Sequence, residues 1–150
     1  MNKSNLYERD FFAWANEQAA LLRAGNLSAA DIGHIAEEIE SMGRTEKREL
    51  VSRLTVLLSH LLEWRYQPSR RGASWYASIT NTRRDLADHL DDNPSLKAML
   101  GAAIAKAYGR AILEAAAETG LDRETFPATC PWGFERVMGE TFWPSGDDDR

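Results

Sequence analysis

The sequence predicts an all-α fold, a compact bundle of about five helices followed by an irregular aromatic C-terminal arm. Three observations predict it. Between Leu50 and Trp64, apolar side chains recur at Leu50, Leu54, Leu57, Leu61 and Trp64, the steps of three and four residues that match the 3.6-residue period of a helix. Glycines and prolines divide the rest into segments of helical length, and no alternating run is long enough to read as a strand. After Gly120 the pattern changes, with Pro127, Pro131 and Pro144 set among Phe126, Trp132, Phe134, Phe142 and Trp143.

The first helix is expected from Asp10 to Ala24, with Asp10 as N-cap and Gly25 as its stop. Phe11, Phe12, Trp14, Ala15, Ala19 and Leu22 fall largely on one face and read as core. Ser28 and Asp31 have capping-box spacing, and a second helix should run to Met42 with Ile32, Ile35, Ile39 and Met42 inward, closed by Gly43. A third, of about 21 residues and roughly 32 Å, starts at Thr45 with Glu46 and Glu49 favouring the helix dipole. It ends at Gln67, which Pro68 pushes out of the helical region. This leucine-rich rod is the expected centre of the fold.

Ser74 is placed to cap a fourth helix from Trp75 to Leu90, where His89 would answer the C-terminal dipole. Asn93 and Pro94 signal the start of a fifth helix, expected to run to Thr119 before Gly120. The arm that follows should hold one short helix from Pro131 to Met138, and residues 145–150 read as a disordered acidic tail.

With 150 residues, 43% of them hydrophobic and 27% charged, residues 1–150 are expected to form a single helical domain able to bury a core. The lone cysteine, Cys130, excludes an internal disulfide framework and a cysteine-based zinc site, and suits a reducing compartment. MNKSNLYERDFF lacks the apolar core of a signal peptide, and runs such as VLLSHLL are too short to span a bilayer. A cytoplasmic location without membrane association is expected. A formal net charge of -5 weighs against general nucleic-acid binding.

One interval departs from that balance. Between Glu63 and Asp85 there is no acid, while Arg65, Arg70, Arg71, Arg83 and Arg84 alternate with Trp64, Tyr66, Trp75 and Tyr76. A stacking surface for nucleic acid has this composition. The competing reading pairs the arginines with the acids of the second helix, Asp31 to Glu46, and charge balance within the chain favours it.

His60 sits among leucines and reads as a core histidine bonded to a carboxylate, and Glu38, at the edge of the second helix's apolar stripe, is the candidate partner for His60 or for an arginine. His34 with Glu37, and His60 with Glu63, repeat a three-residue spacing reminiscent of carboxylate-bridged metal centres, but with the order reversed and two bridging glutamates missing. Ser59 and His60 point about 100° apart on a helix and cannot act together, and no glycine-rich phosphate loop is present. No catalytic residue, metal-ligand set or cofactor is therefore expected. The site expected is a polar pocket of Glu38, His60, Gln67, Arg71, Trp75 and Arg83, able to hold an anion or a partner's peptide.

The stretches YERDFFAWANEQAALLRAG, IAEEIESMGR, LLSHLLEW, YQP, SW, AYGRAILEAAAETGL and TFPATCPW, in that order, resemble the bacterial family catalogued as domain of unknown function 29. The resemblance covers Tyr7 to about Trp132 and implies a small, mostly helical protein without an established activity. In that family the position after HLL is commonly lysine, whereas here it is Glu63, so the His60 and Glu63 spacing reads as incidental.

Together these readings favour a non-catalytic protein-interaction or adaptor module with a protein partner, which could be a homo-oligomer. The alternatives are a metal-binding protein or enzyme using His60 with carboxylates of the second helix, and nucleic-acid binding through 64–84.

Overall fold

A computed structural model describes residues 3–146. The described chain is all-α, without a strand: α1 (Lys3–Arg9), α2 (Phe11–Arg23), α3 (Ile32–Tyr66), α4 (Ala73–Asp92), α5 (Leu100–Thr119) and α6 (Phe134–Met138), with short 3-10 turns at Pro68–Arg70, Pro94–Met99 and Arg123–Thr125. None of these helices is long and apolar enough to cross a membrane. The chain divides into two compact units, residues 1–45 and 46–150. Of the tail expected to be disordered, residues 147–150 lie outside the described residues.

In the first unit, Asp10 caps α2 as expected, its carboxylate accepting from the Ala13 amide at 3.0 Å. Gly25 then turns the chain at a φ of 71°, which a side chain would resist. The small interior is built on Trp14, Gln18 and Ala30. Gln18 accepts from the Asp31 amide at 2.6 Å, and the Trp14 indole donates to the Asp31 carboxylate at 3.1 Å. Tyr7 stacks on His34 with ring centroids 4.0 Å apart.

The expected break at Gly43 does not occur: the second and third expected helices are one, α3, of 35 residues. Thr45, expected near a new N-terminus, instead donates its hydroxyl to the Ser41 carbonyl one turn back. A single interior glycine costs a helix only about 1 kcal/mol, and no proline follows until Pro68, so nothing forces a stop.

The second unit holds the core that the leucine spacing predicts. Leu50, Leu54, Leu57, Leu58, Leu61 and Leu62 of α3 are fully buried against Ile79 and Leu86 of α4 and Ala107, Ala111 and Ala115 of α5. The alanines keep α5 slim where the leucines need room. At its start the fifth helix is tightened into a 3-10 turn from Pro94, and at its end Gly120 closes α5 at a φ of 74°.

Phe126, Trp132, Val137 and Pro144 of the arm are buried. The Tyr108 hydroxyl donates to the Pro127 carbonyl at 2.6 Å. Trp143 stacks on Tyr76 at 4.8 Å and lies 4.7 Å from Trp64.

Candidate functional site

Of the six residues of the expected pocket, Glu38 belongs to the first unit and His60, Gln67, Arg71, Trp75 and Arg83 to the second. Glu38 lies in the first unit, where its carboxylate accepts from the Tyr7 hydroxyl. That hydrogen bond, then desolvation and the nearby acids, pushes the Tyr7 phenol up to about 12. His60 lies in the second unit and uses Nδ1 to donate to the Val56 carbonyl one turn back, at 2.8 Å. Each group thus has a hydrogen-bond partner in its own unit. Glu38 and His60, expected on adjacent helices, both stand on the single helix α3.

The expected pocket keeps a smaller association at the arm. Arg71 donates to the Trp64 carbonyl at 2.7 Å and to the Pro144 carbonyl at 3.4 Å. Arg83 donates to the Val137 carbonyl at 2.8 Å and to the Phe142 carbonyl at 2.7 Å, and its guanidinium lies over the Trp143 ring. Trp75 sits beneath Arg70, and the Gln67 amide closes α3 on the Glu63 carbonyl. The basic interval is therefore engaged mainly with carbonyls and rings of its own unit. Arg70, which also reaches the Glu118 carbonyl, meets an acid of α5, where an acid of the second expected helix was anticipated.

Of the two His/Glu spacings, His34 and Glu37 belong to the first unit and His60 and Glu63 to the second. Asp31 joins His34, at 2.8 Å, to Trp14. Burial pushes its carboxyl up, but the hydrogen bonds from the ring and the indole bring it net below the usual carboxylate range. Glu63 is buried, and desolvation raises its carboxyl, with Glu114 and Glu118 adding to the rise and His60 and Arg70 opposing it. Cys130 borders an apolar groove of about 490 Å³ with Leu100, Ile104, Tyr108 and Trp132. Burial pushes its thiol up, the opposite of what an activated nucleophile needs.

A constellation that sequence reasoning missed lies between α3 and α4. Glu46, Glu49 and His89 offer side-chain ligand atoms that all fall within 4.8 Å of one another. They border a polar cleft of about 520 Å³ that also takes in Asp85 and Asp92. The ring of His89 is buried, and its Nε2 lies 2.9 Å from the Glu46 main-chain carbonyl. Nδ1 faces Glu46 Oε2 at 3.7 Å and Glu49 Oε2 at 3.8 Å. Arg53 holds the other Glu49 oxygen, Nη2 at 2.5 Å and Nε at 3.1 Å, and this bond keeps the Glu49 carboxyl below its ordinary range.

In the sequence, Glu46 and Glu49 read as first-turn acids and His89 as a dipole partner. A spacing of three glutamate-to-glutamate residues was visible, but its meeting with a histidine 40 residues on depends on how α3 and α4 pack.

The family model described as domain of unknown function DUF29 matches residues 6–143. The chain belongs to that family. No curated protein and no solved structure gives a significant match to this DUF29 chain. The family description supplies no reaction or ligand.

Proposed function

We propose that this DUF29 chain is a non-catalytic interaction module of the cytoplasm that docks a protein partner on the apolar face of its first unit. The observation that carries the reading is the exposure of large apolar side chains there: Phe12 is 78% exposed, Met42 69%, Ile39 63%, Leu27 59% and Ile32 53%. Exposed apolar residues scattered singly are ordinary, but contiguous apolar surface on a soluble protein marks an interaction site.

Their spacing supports an ordered interface. Ile32, Ile35, Ile39 and Met42 follow one another at three, four and three residues along α3, the seam that a partner helix packs against with interlocking side chains. Phe12, Ala15, Ala19 and Leu22 repeat those steps on α2. The partner this fits is a protein chain offering an apolar helical stripe of its own.

The test is the double substitution Ile39→Asp with Met42→Asp, read by sedimentation velocity and by co-purification from the native host, with circular dichroism as the fold control. Wild-type protein should sediment as a complex with itself or with a co-purifying chain, and the variant should run alone with unchanged helicity. Identical behaviour of the two in both measurements would overturn the reading.

A further inference from the structure

We propose that Glu46, Glu49 and His89 form a binding site for a first-row divalent metal ion, the chemistry represented by zinc. This site lies in the second unit and is independent of the docking face.

Hydrogen-bond logic fixes the ring. A main-chain carbonyl can only accept, so the contact of His89 Nε2 with the Glu46 carbonyl places a proton on Nε2. In the neutral imidazole the lone pair then sits on Nδ1 and points at two carboxylate oxygens, 3.7 and 3.8 Å away. Three electron-rich atoms within 4.8 Å of one another, with Nδ1 beyond hydrogen-bond distance of both carboxylates, suit a cation between them. The ring cannot turn to water for relief, because only 6% of it is exposed.

The surroundings supply what a metal-ligating imidazole needs. Histidine ligands commonly donate their second ring N–H to a main-chain carbonyl or carboxylate, which orients the ring and sets its tautomer. Glu46 performs that task with its backbone while its side chain faces Nδ1. Arg53 occupies Oε1 of Glu49 and leaves Oε2 turned to the ring, so the free carboxylate oxygen is aimed at Nδ1.

The dimensions also suit zinc. Ligands about 2.1 Å from a tetrahedral ion stand roughly 3.4 Å apart; the two pairs with His89, at 3.7 and 3.8 Å, are within a few tenths of an ångström of that, and the two carboxylate oxygens lie within 4.8 Å of each other. Rotation about the exposed glutamate stems, 44% and 38% exposed, provides the remaining movement. One imidazole and two carboxylates favour a borderline cation such as zinc over magnesium, which prefers oxygen alone. The fourth position is left to solvent.

Isothermal titration of chelator-treated full-length protein with zinc chloride tests the site, alongside Glu46→Gln/Glu49→Gln and with nitrogen-edited NMR of the histidine rings. Wild type should take up one zinc per chain and its melting temperature should rise with zinc. The double variant should bind weaker by at least roughly the 10-fold that loss of an outer-sphere partner alone costs. The Nδ1 resonance of His89 should move on addition of equimolar zinc. The exposed glutamine substitutions leave the buried ring in place, so a folded variant is expected and its circular dichroism verifies it. Absence of one-to-one uptake, uptake unchanged in the variant, or a His89 resonance indifferent to zinc would each overturn the site; a proton on Nδ1 is then its occupant.

Discussion

Arg83 reaches across to the main chain of Val137, with its Nε 2.8 Å from that carbonyl although 54 residues separate them in sequence. The same guanidinium bonds Phe142 and lies over Trp143, so one fork of donors fastens the end of α6 and the segment beyond it to α4. Desolvation pulls its charge toward loss, and the negative charge of Glu140 opposes that. A charged side chain only 5% exposed with main-chain partners is the signature of a structural tie.

Arg83→Ala should therefore destabilise the second unit by about 2–4 kcal/mol, since it strands two carbonyls that lose charge-assisted hydrogen bonds. Trp143 fluorescence should shift to the red at temperatures where α-helix content is still native. Arg83→Lys should rescue little, because a single ammonium cannot match a planar fork spanning two carbonyls. A melting temperature equal to wild type would return Arg83 to the ligand-binding role expected from sequence.

Gly43 lies inside a continuous helix, and a Cβ added there meets nothing within 4 Å. Gly43→Ala should raise stability by about 0.5–1 kcal/mol through the smaller entropy lost on folding. If α3 instead ended at Gly43, alanine would be neutral or harmful, and chemical denaturation distinguishes the two.

Glu63 gives a pH dependence whose sign follows from burial. Desolvation raises its carboxyl in the folded state above the ordinary value of 4.5, so the folded protein holds that proton more tightly than the unfolded chain does. The contribution to stability is fully present below the ordinary value and is lost as pH rises through the raised one. Glu63→Gln keeps a neutral group at every pH. Its melting temperature should exceed that of wild type by a few degrees near neutrality, and the gap should close in acid. A gap that widens in acid would mean that the carboxylate is stabilised by its cationic neighbours.

Tyr7 is bonded to Glu38, and its phenol is pushed up to about 12, chiefly by that bond. Its folded value stands above the ordinary 10.0 of a tyrosine, so the stability it contributes is intact below the lower figure and lost as pH climbs through the higher one. Near-ultraviolet absorbance should show a late tyrosinate step in wild type that disappears in Tyr7→Phe. A titration in which no tyrosine lags would break the pairing.

The helical class and the core were legible because both rest on local spacing. Leu50, Leu54, Leu57 and Leu61 all proved fully buried, and the caps at Asp10 and Gly120 act through neighbours a few residues away. The break expected at Gly43 misled because a glycine weakens a helix without ending it, and only the balance of the whole segment decides. The inward reading of Ile39 and Met42 also fails: an apolar stripe states which side chains share a face, not whether anything in the chain covers it.

The sequence by itself determined the all-α class, the leucine rod and the family, since periodicity and ordered motifs are properties of the chain read along its length. Tertiary structure alone decided that Arg83 serves the arm and that His89 turns Nδ1 toward Glu46 and Glu49. Those relationships join residues tens of positions apart, and their hydrogen-bond geometry exists only once α3 and α4 are packed and the segment 137–143 has folded onto α4.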